Sequence, residues 1–314
     1  MTSARIRREL KQLWTTCPPE YRLVDTRGRP LSTLLQIDAR KRERAVLQID
    51  NWVFVIDSLI SWYVVLAVCF SRAARGRRTS SPRTNIELGS FFLVLGAIVN
   101  YAIAISRLCA PGFDLPAKQV LRSLIEYTEL LTLFDVQPEL LREFHAKQDV
   151  EDANKFWHAY LSKGKARKKI ENAFANKMDE YFLGVRDWRS QEKTVLNAAT
   201  HPSHIACFAA FTGFAGTGVG FLGAPTDASV RTLYLSSHAL FETAILTSSL
   251  RFWEESVPNR FFHFNRGNFF HRAAKQSWPV ILRLFIWWIA NRDSPELMSS
   301  RTGWPFVEES EVGH

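Results

Sequence analysis

The sequence predicts an essentially all-α protein, a single multi-helix bundle with peripheral N-terminal helices. Three observations carry this. Apolar residues recur at helical spacing over most of the chain, no segment alternates apolar and polar residues as a half-buried strand does, and no βαβ alternation occurs. With 314 residues, 46% hydrophobic and 23% charged, the chain can bury a substantial core and is not of disordered composition.

The bundle is organised around Phe113 to Phe134, FDLPAKQVLRSLIEYTELLTLF. Asp114 is placed to cap the first orphan amides, and Pro116 suits an early helical position. Val120, Leu121, Leu124, Ile125, Thr128 and Leu131 form one apolar face, while Arg122, Glu126 and Glu129 fall together opposite it. Leu130, Leu133 and Phe134 then close around that polar side, as expected of a central helix.

Taken in order, residues 3–15 read as a short amphipathic helix, stopped by Pro18-Pro19, and Tyr21 to Pro30 as a turn-rich connector. From Leu31 to Arg75 there is neither Gly nor Pro. The second half of that stretch, Trp52 to Phe70, is apolar apart from Asp57, Ser58 and Ser61. A basic loop, SRAARGRRTSSPRT, precedes a second apolar helix from Ser90 to Leu108. After the central helix, Pro138 opens a continuous helix over Glu139 to Leu161. KGKARKK (Lys163 to Lys169) opens the next, to about Leu183; with Glu171, Asp179 and Glu180 nearby it reads as a solvated face. Asp187 to Thr200 is helical and ends at HPSH. Asp227 caps a long amphipathic helix containing Val230, Leu233, Tyr234, Leu240, Phe241, Ala244 and Ile245 on one face. In the last helix Pro279 should kink or break the ladder. The domain division expected is a basic helical region over 1–87, a helical core domain over 88–292 and a poorly ordered acidic tail over 293–314.

The net charge of +9 is concentrated at the start: residues 1–87 hold 16 Lys/Arg against 8 Asp/Glu, with Arg outnumbering Lys 14 to 2. Arg suits bidentate phosphate contacts, so Arg72, Arg75, Arg77, Arg78 and Arg83 in the basic loop are candidate phosphate or lipid-head ligands, with nucleic acid or an anionic membrane surface as partners. A homo-oligomer is a further partner option. Cys17, Cys69, Cys109 and Cys207 lack any CxxC or metal spacing and read as reduced intracellular thiols. No secretory signal is visible. Trp52–Phe70 and Ser90–Leu108 approach the length and polarity of spanning helices. However, Arg-rich segments flank the first on both sides, against the positive-inside rule. A cytoplasmic protein is expected, with membrane association as the alternative.

Two polar constellations stand out. Arg122, Glu126, His201, His204, His238 and Glu242 form a candidate polar core cluster, with Arg122 and Glu126 expected near the interior and facing HPSH. The Glu-x-x-His repeat of bundle metal sites is missing, so no metal or cofactor is assigned. Gly218-Val-Gly220-Phe-Leu-Gly223 matches GxGxxG, but Pro225 follows at once and no strand precedes it, which excludes a dinucleotide fingerprint.

Arg266-Gly-Asn-Phe-Phe-His271 resembles the R-x(4–6)-H motif of the HEPN ribonucleases. The resemblance implies that Arg266 and His271 would act on an RNA phosphate without metal, although Gly267 departs from the usual polar residue. Residues 88–205 are similar to a family of bacterial helical proteins known only as a domain of unknown function, through FFLVLGAIVNYAIAISRL, GFDLPAKQVLRSLIEYTELLTLF, a proline-led helix and NAATHPSH. That resemblance implies an all-α fold, with phage defence or stress response as a setting. The expected function is an intracellular helical binding or effector protein. The alternatives are a membrane-associated effector using residues 52–70 and 90–108, and a HEPN-like ribonuclease.

Overall fold

The computed structural model describes residues 52–72, 82–109, 113–147, 149–201, 230–251 and 269–290, together with Arg8, Gln12 and Cys207. Among them there is no strand. The helices are α1 (Trp52–Arg72), α2 (Pro82–Cys109), α3 (Asp114–Val136), α4 (Leu140–Ala146), α5 (Val150–Tyr160), α6 (Lys165–Thr200), α7 (Val230–Leu246) and α8 (Phe269–Ala290), with 3-10 turns at Ser162–Gly164 and Ser248–Leu250.

The central position of α3 is observed: it packs along α2, α6 and α7, and α2 is its most extensive partner. Leu121, Leu124, Thr128 and Leu131 are buried at helical spacing, and Leu130, Thr132, Leu133 and Phe134 extend the burial around the helix. Asp114 does not cap the helix. Phe113 is the N-cap residue and no side chain satisfies it. Asp114 is instead buried against Lys118 Nζ at 2.6 Å, and Thr232 Oγ1 donates to it at 3.0 Å, a bond between α3 and α7 that short-range pattern could not reveal.

One hydrophobic cluster takes residues from α1 to α8. The side chains of α1 enter it deeply: Tyr63 donates to the Leu240 carbonyl of α7 at 2.6 Å, Trp62 stacks on Trp278 of α8 at 5.2 Å, and Phe70 stacks on Phe91 of α2 at 5.5 Å. Residue 87, the expected end of the basic region, lies within α2.

Four local expectations are corrected. The 139–161 segment is two helices, α4 and α5, because Asp149 stops the ladder and caps α5 by accepting from the Asp152 amide at 2.7 Å. Helix α7 is not amphipathic: Thr232 through Ala244 are buried without a polar exposed face, as fits a helix enclosed on all sides. Of the kink or break expected at Pro279, the break is not seen: the proline lies inside α8, which continues to Ala290. Arg72 and Arg83 belong to α1 and α2, not to a loop, because α2 starts at Pro82.

Helix α6 folds back on itself. Met178 (φ −142°, ψ 23°) leaves helical geometry. A straight helix would separate Arg167 and Arg189 by about 33 Å at 1.5 Å per residue. Yet both guanidinium groups bond the same oxygen of Glu242. The two arms, Lys165 to Lys177 and Asp179 to Thr200, therefore run back alongside each other from the break at Met178.

Candidate functional site

The folded-back arms of α6 carry a chain of alternating charges into the interior. Glu242 of α7, its side chain only 6% exposed, accepts from Arg167 Nη1 at 2.9 Å and from Arg189 Nη2. Arg167 Nε also bonds Glu171 at 2.7 Å, and Arg189 Nη1 reaches Glu129 of α3 at 3.4 Å. The second oxygen of Glu242 accepts from the Tyr181 hydroxyl at 3.0 Å. The Tyr181 oxygen also lies 3.0 Å from His238 Nε2. Since the phenol has one proton and gives it to the carboxylate, Nε2 is the protonated nitrogen of His238 and donates to the phenol oxygen.

Burial alone would raise the pKa of Glu242, but Arg189 and Arg167 outweigh it and hold the carboxyl at about 2. Glu129 is pushed the other way by burial, with Arg189 and Arg167 opposing. Burial first, and the Glu242 charge second, keep the Tyr181 phenol protonated well beyond its usual range. Two buried guanidinium nitrogens, Arg167 Nη2 and Arg189 Nε, have no hydrogen-bond partner among the described residues, where such groups almost always have one.

Glu129, Arg167, Glu171, Arg189 and His238 of this network line a cavity of about 440 Å³ between α3, the end of α5, the Ser162–Gly164 turn, both arms of α6 and α7. Its rim is cationic. Besides Arg167 and Arg189, it is lined by Lys163, Lys168, Arg186 and Lys193, none of which forms an ion pair among the described residues. Gly164, at φ +73°, sits in the left-handed conformation that favours glycine, and a Cβ placed there would come within 3.8 Å of Lys193 Nζ. Lys163 shares that conformation at φ 57° without glycine's freedom. No side chain caps α6, and the Lys165 amide at its start donates to the Ser162 carbonyl of the preceding turn. The lining also includes Ile125, Trp157, Leu161, Leu196 and Leu235.

Of the expected polar cluster, the structure brings His238 and Glu242 together through Tyr181 and sets Arg122 and Glu126 on the cavity wall. The latter pair, with Nε and Oε1 3.5 Å apart, is half-buried at 34% and 33% exposure. Arg122 donates to Thr200 Oγ1 at 2.9 Å, and Glu126 accepts from Trp157 Nε1 at 3.1 Å. Arg122 thus meets the residue that precedes His201. His201 itself is exposed at the end of α6, and His204 lies outside the described residues. KGKARKK is not simply a solvated face: Arg167 is buried to 13% exposure, and Lys169 donates to Gln137 while lying 4.8 Å above the Tyr160 ring. Arg167, Arg189, Tyr181 and Glu129 are the members missed in sequence. Their only signal there was the position of Arg167 within a basic run and of Glu129 on the polar side of α3.

For the remaining candidates, Arg72 lies 4.5 Å above the Phe270 ring, and Arg83 is a first-turn residue of α2. Arg75, Arg77, Arg78, Arg266 and the glycines at 218, 220 and 223 lie outside the described residues. His271 lies near the start of α8. Among the described residues no group of three or more His, Cys, Asp or Glu side chains is placed to hold a metal ion.

Fold and site together define an all-α bundle with a cationic cavity between its helices. No protein-family model matches the chain, and no curated protein or solved structure matches it either, so the cavity is interpreted from its own chemistry.

Proposed function

We propose that this is a helical binding protein that takes an anionic small molecule in the cavity between α3, α7 and the two arms of α6. The observation that carries the reading is the charge imbalance of the lining: seven Lys and Arg side chains against three carboxylates. The one strongly ionised carboxylate behind the wall, Glu242, is already shared by two arginines, and among the described residues Lys163, Lys168, Arg186 and Lys193 form no ion pair. The volume suits a small molecule. The reading asks no proton transfer of the site. A carboxyl held at about 2 and a phenol kept protonated are both poorly matched to acid–base catalysis near neutral pH.

The test is a thermal-unfolding panel of anions, cations and neutral solutes. Multivalent anions should raise the Tm by mass action. The rise should vanish in about 1 M salt, where the Debye length falls to roughly 3 Å. A panel in which no anion raises the Tm, or neutral solutes do so equally, would overturn the reading.

A second reading, membrane association through α1 and α2, is favoured by one observation. Both helices are long and apolar enough to cross a bilayer, with mean hydropathies of 2.2 and 2.1, and Phe54, Val64, Phe92 and Leu93 are exposed on them. Against it, half of each apolar window is buried inside the fold. The exposed stripe of α1 that carries Phe54 and Val64 also carries Asp57 and Ser61, and a carboxylate facing lipid is costly. We propose that α1 and α2 are core helices of a soluble, cytoplasmic protein. Recovery only from detergent-solubilised membranes would reverse that placement. The ribonuclease reading needs both Arg266 and His271, and only His271 is among the described residues.

A further inference from the structure

We propose that the ligand is an organic di- or triphosphate of nucleotide size, its phosphates held by Lys163, Lys168, Arg186 and Lys193 and its flat apolar part laid against Trp157. This rests on the anion-binding reading above and narrows it in three steps.

The first step is charge. Seven cations and three carboxylates line the cavity, and the ionised Glu242 behind the wall lowers the surplus from four to three. A single carboxylate would leave most of that surplus uncompensated, whereas a diphosphate carries about as much negative charge as the surplus, at roughly 1.5 to 2 per terminal phosphate group.

The second step is the type of donor. The four cations without ion pairs among the described residues include three lysines, compact point charges that suit the spread oxygens of a polyphosphate. They are presented from two directions, Lys163 and Lys168 from the first arm of α6 and its preceding turn, Arg186 and Lys193 from the second. Arg186, Arg189 and Lys193 share one stripe of the second arm by their spacing of three and four. The proximity of Lys193 Nζ to Gly164 brings the end of that stripe beside the start of the first arm. Left alone, such an ammonium would be repelled by the positive end of the helix; a phosphate between them is attracted by both. Among the described residues, Arg167 Nη2 and Arg189 Nε are buried donors without hydrogen-bond partners.

The third step is size and shape. A cavity of about 440 Å³ exceeds what inorganic pyrophosphate fills. Ile125, Leu161, Leu196, Leu235 and Trp157 give its lining an apolar part. The indole N–H is turned to Glu126, which fixes the ring. Sequence-tolerant stacking on an aromatic side chain is the usual way a protein holds a base.

The experiment is calorimetric titration of the full chain with ADP, adenosine, pyrophosphate and citrate, for wild type and for Lys193→Gln, Trp157→Leu and Lys155→Gln. Lys155 is an exposed control that pairs with Glu151 away from the cavity. Circular dichroism and Tm establish that each variant is folded. ADP should bind well and adenosine at least tenfold more weakly. Lys193→Gln should weaken ADP and pyrophosphate by about tenfold, the loss of one charge-assisted contact. Trp157→Leu should weaken ADP but not pyrophosphate, and Lys155→Gln should change neither. Citrate binding as tightly as ADP, with both weakened by Lys193→Gln, would overturn the phosphate assignment and leave the anion-binding reading standing. Binding of ADP that ignores both Lys193→Gln and Trp157→Leu would overturn the placement. No binding by any of the three anions would overturn both readings.

Discussion

Glu242 gathers more of the interior charge than any other described side chain, with Arg167, Arg189 and Tyr181 all bonded to its two oxygens. Removing it leaves two buried guanidinium groups without their shared carboxylate, and breaking a buried pair on one side costs about 3–5 kcal/mol. Glu242→Ala should therefore lower stability by that order in chemical denaturation at pH 7. The half-buried Glu126 should matter far less, about 1 kcal/mol or under. Its pairing with Arg122 stood out in sequence, but both side chains are a third exposed. The pH dependence follows from the same network. The folded pKa of Glu242, about 2, lies below the ordinary unfolded value of about 4.3. Its contribution is thus complete above that unfolded value and is lost as pH falls through 2. Glu129, raised by burial, acts with the opposite sign: the fold favours its protonated form, so its ionisation costs stability as pH rises beyond the unfolded value. The difference between wild type and Glu242→Gln should accordingly shrink between about pH 4 and pH 2. A gap that stays constant down to pH 2 would mean that Glu242 is not held ionised by its arginines.

At the scale of the element, α6 joins site to fold. Its break at Met178 lets residues far apart in sequence meet at one carboxylate, and its first turn starts from two left-handed residues, Lys163 and Gly164. A non-glycine residue in that conformation costs about 1–2 kcal/mol. Lys163→Gly should therefore stabilise the protein by up to roughly 1 kcal/mol while weakening anion binding, since it removes a rim cation. Gly164→Ala should destabilise it by about 1–2 kcal/mol through backbone strain alone, because the added methyl meets only Lys193 Nζ at ordinary contact distance. A Lys163→Gly variant that loses stability would show that the turn is not strained. The end of α3 is held in a comparable way. Asp135 accepts from the Ser248 amide at 2.8 Å and hydroxyl at 2.7 Å, and from the Ser249 amide at 3.0 Å and its hydroxyl. Bonds to a charged group contribute about 1.5–3 kcal/mol, so Asp135→Ala should unfold at lower denaturant by an amount in or above that range.

Across the whole molecule the decisive question is whether α1 is core or membrane span. Trp62 stacks on Trp278 and Tyr63 reaches the Leu240 carbonyl, so α1 closes the bundle against α7 and α8. Trp62→Ala should cost about 3–5 kcal/mol in aqueous buffer without detergent. A loss under 1 kcal/mol would place α1 outside the core.

The sequence by itself determined that the chain is helical, where α3 lies, and that α3 is enclosed. Apolar residues at helical spacing are a local property, and Leu130, Leu133 and Phe134 closing over the polar side of α3 are visible within a few turns. It also marked His238 and Glu242, four residues apart on one helix face. Only the tertiary structure decided what they meet. Arg167 and Arg189 read as surface cations among other charges, and Met178 carries no breaking signal. The Glu242 network and the cavity above it exist because α6 folds back and brings residues 22 positions apart onto one oxygen. Asp114 shows the same limit on a smaller scale. At the first turn of a helix its local role is capping, yet Lys118 and Thr232 take it, because a buried carboxylate is most stabilised where a cation and a donor converge.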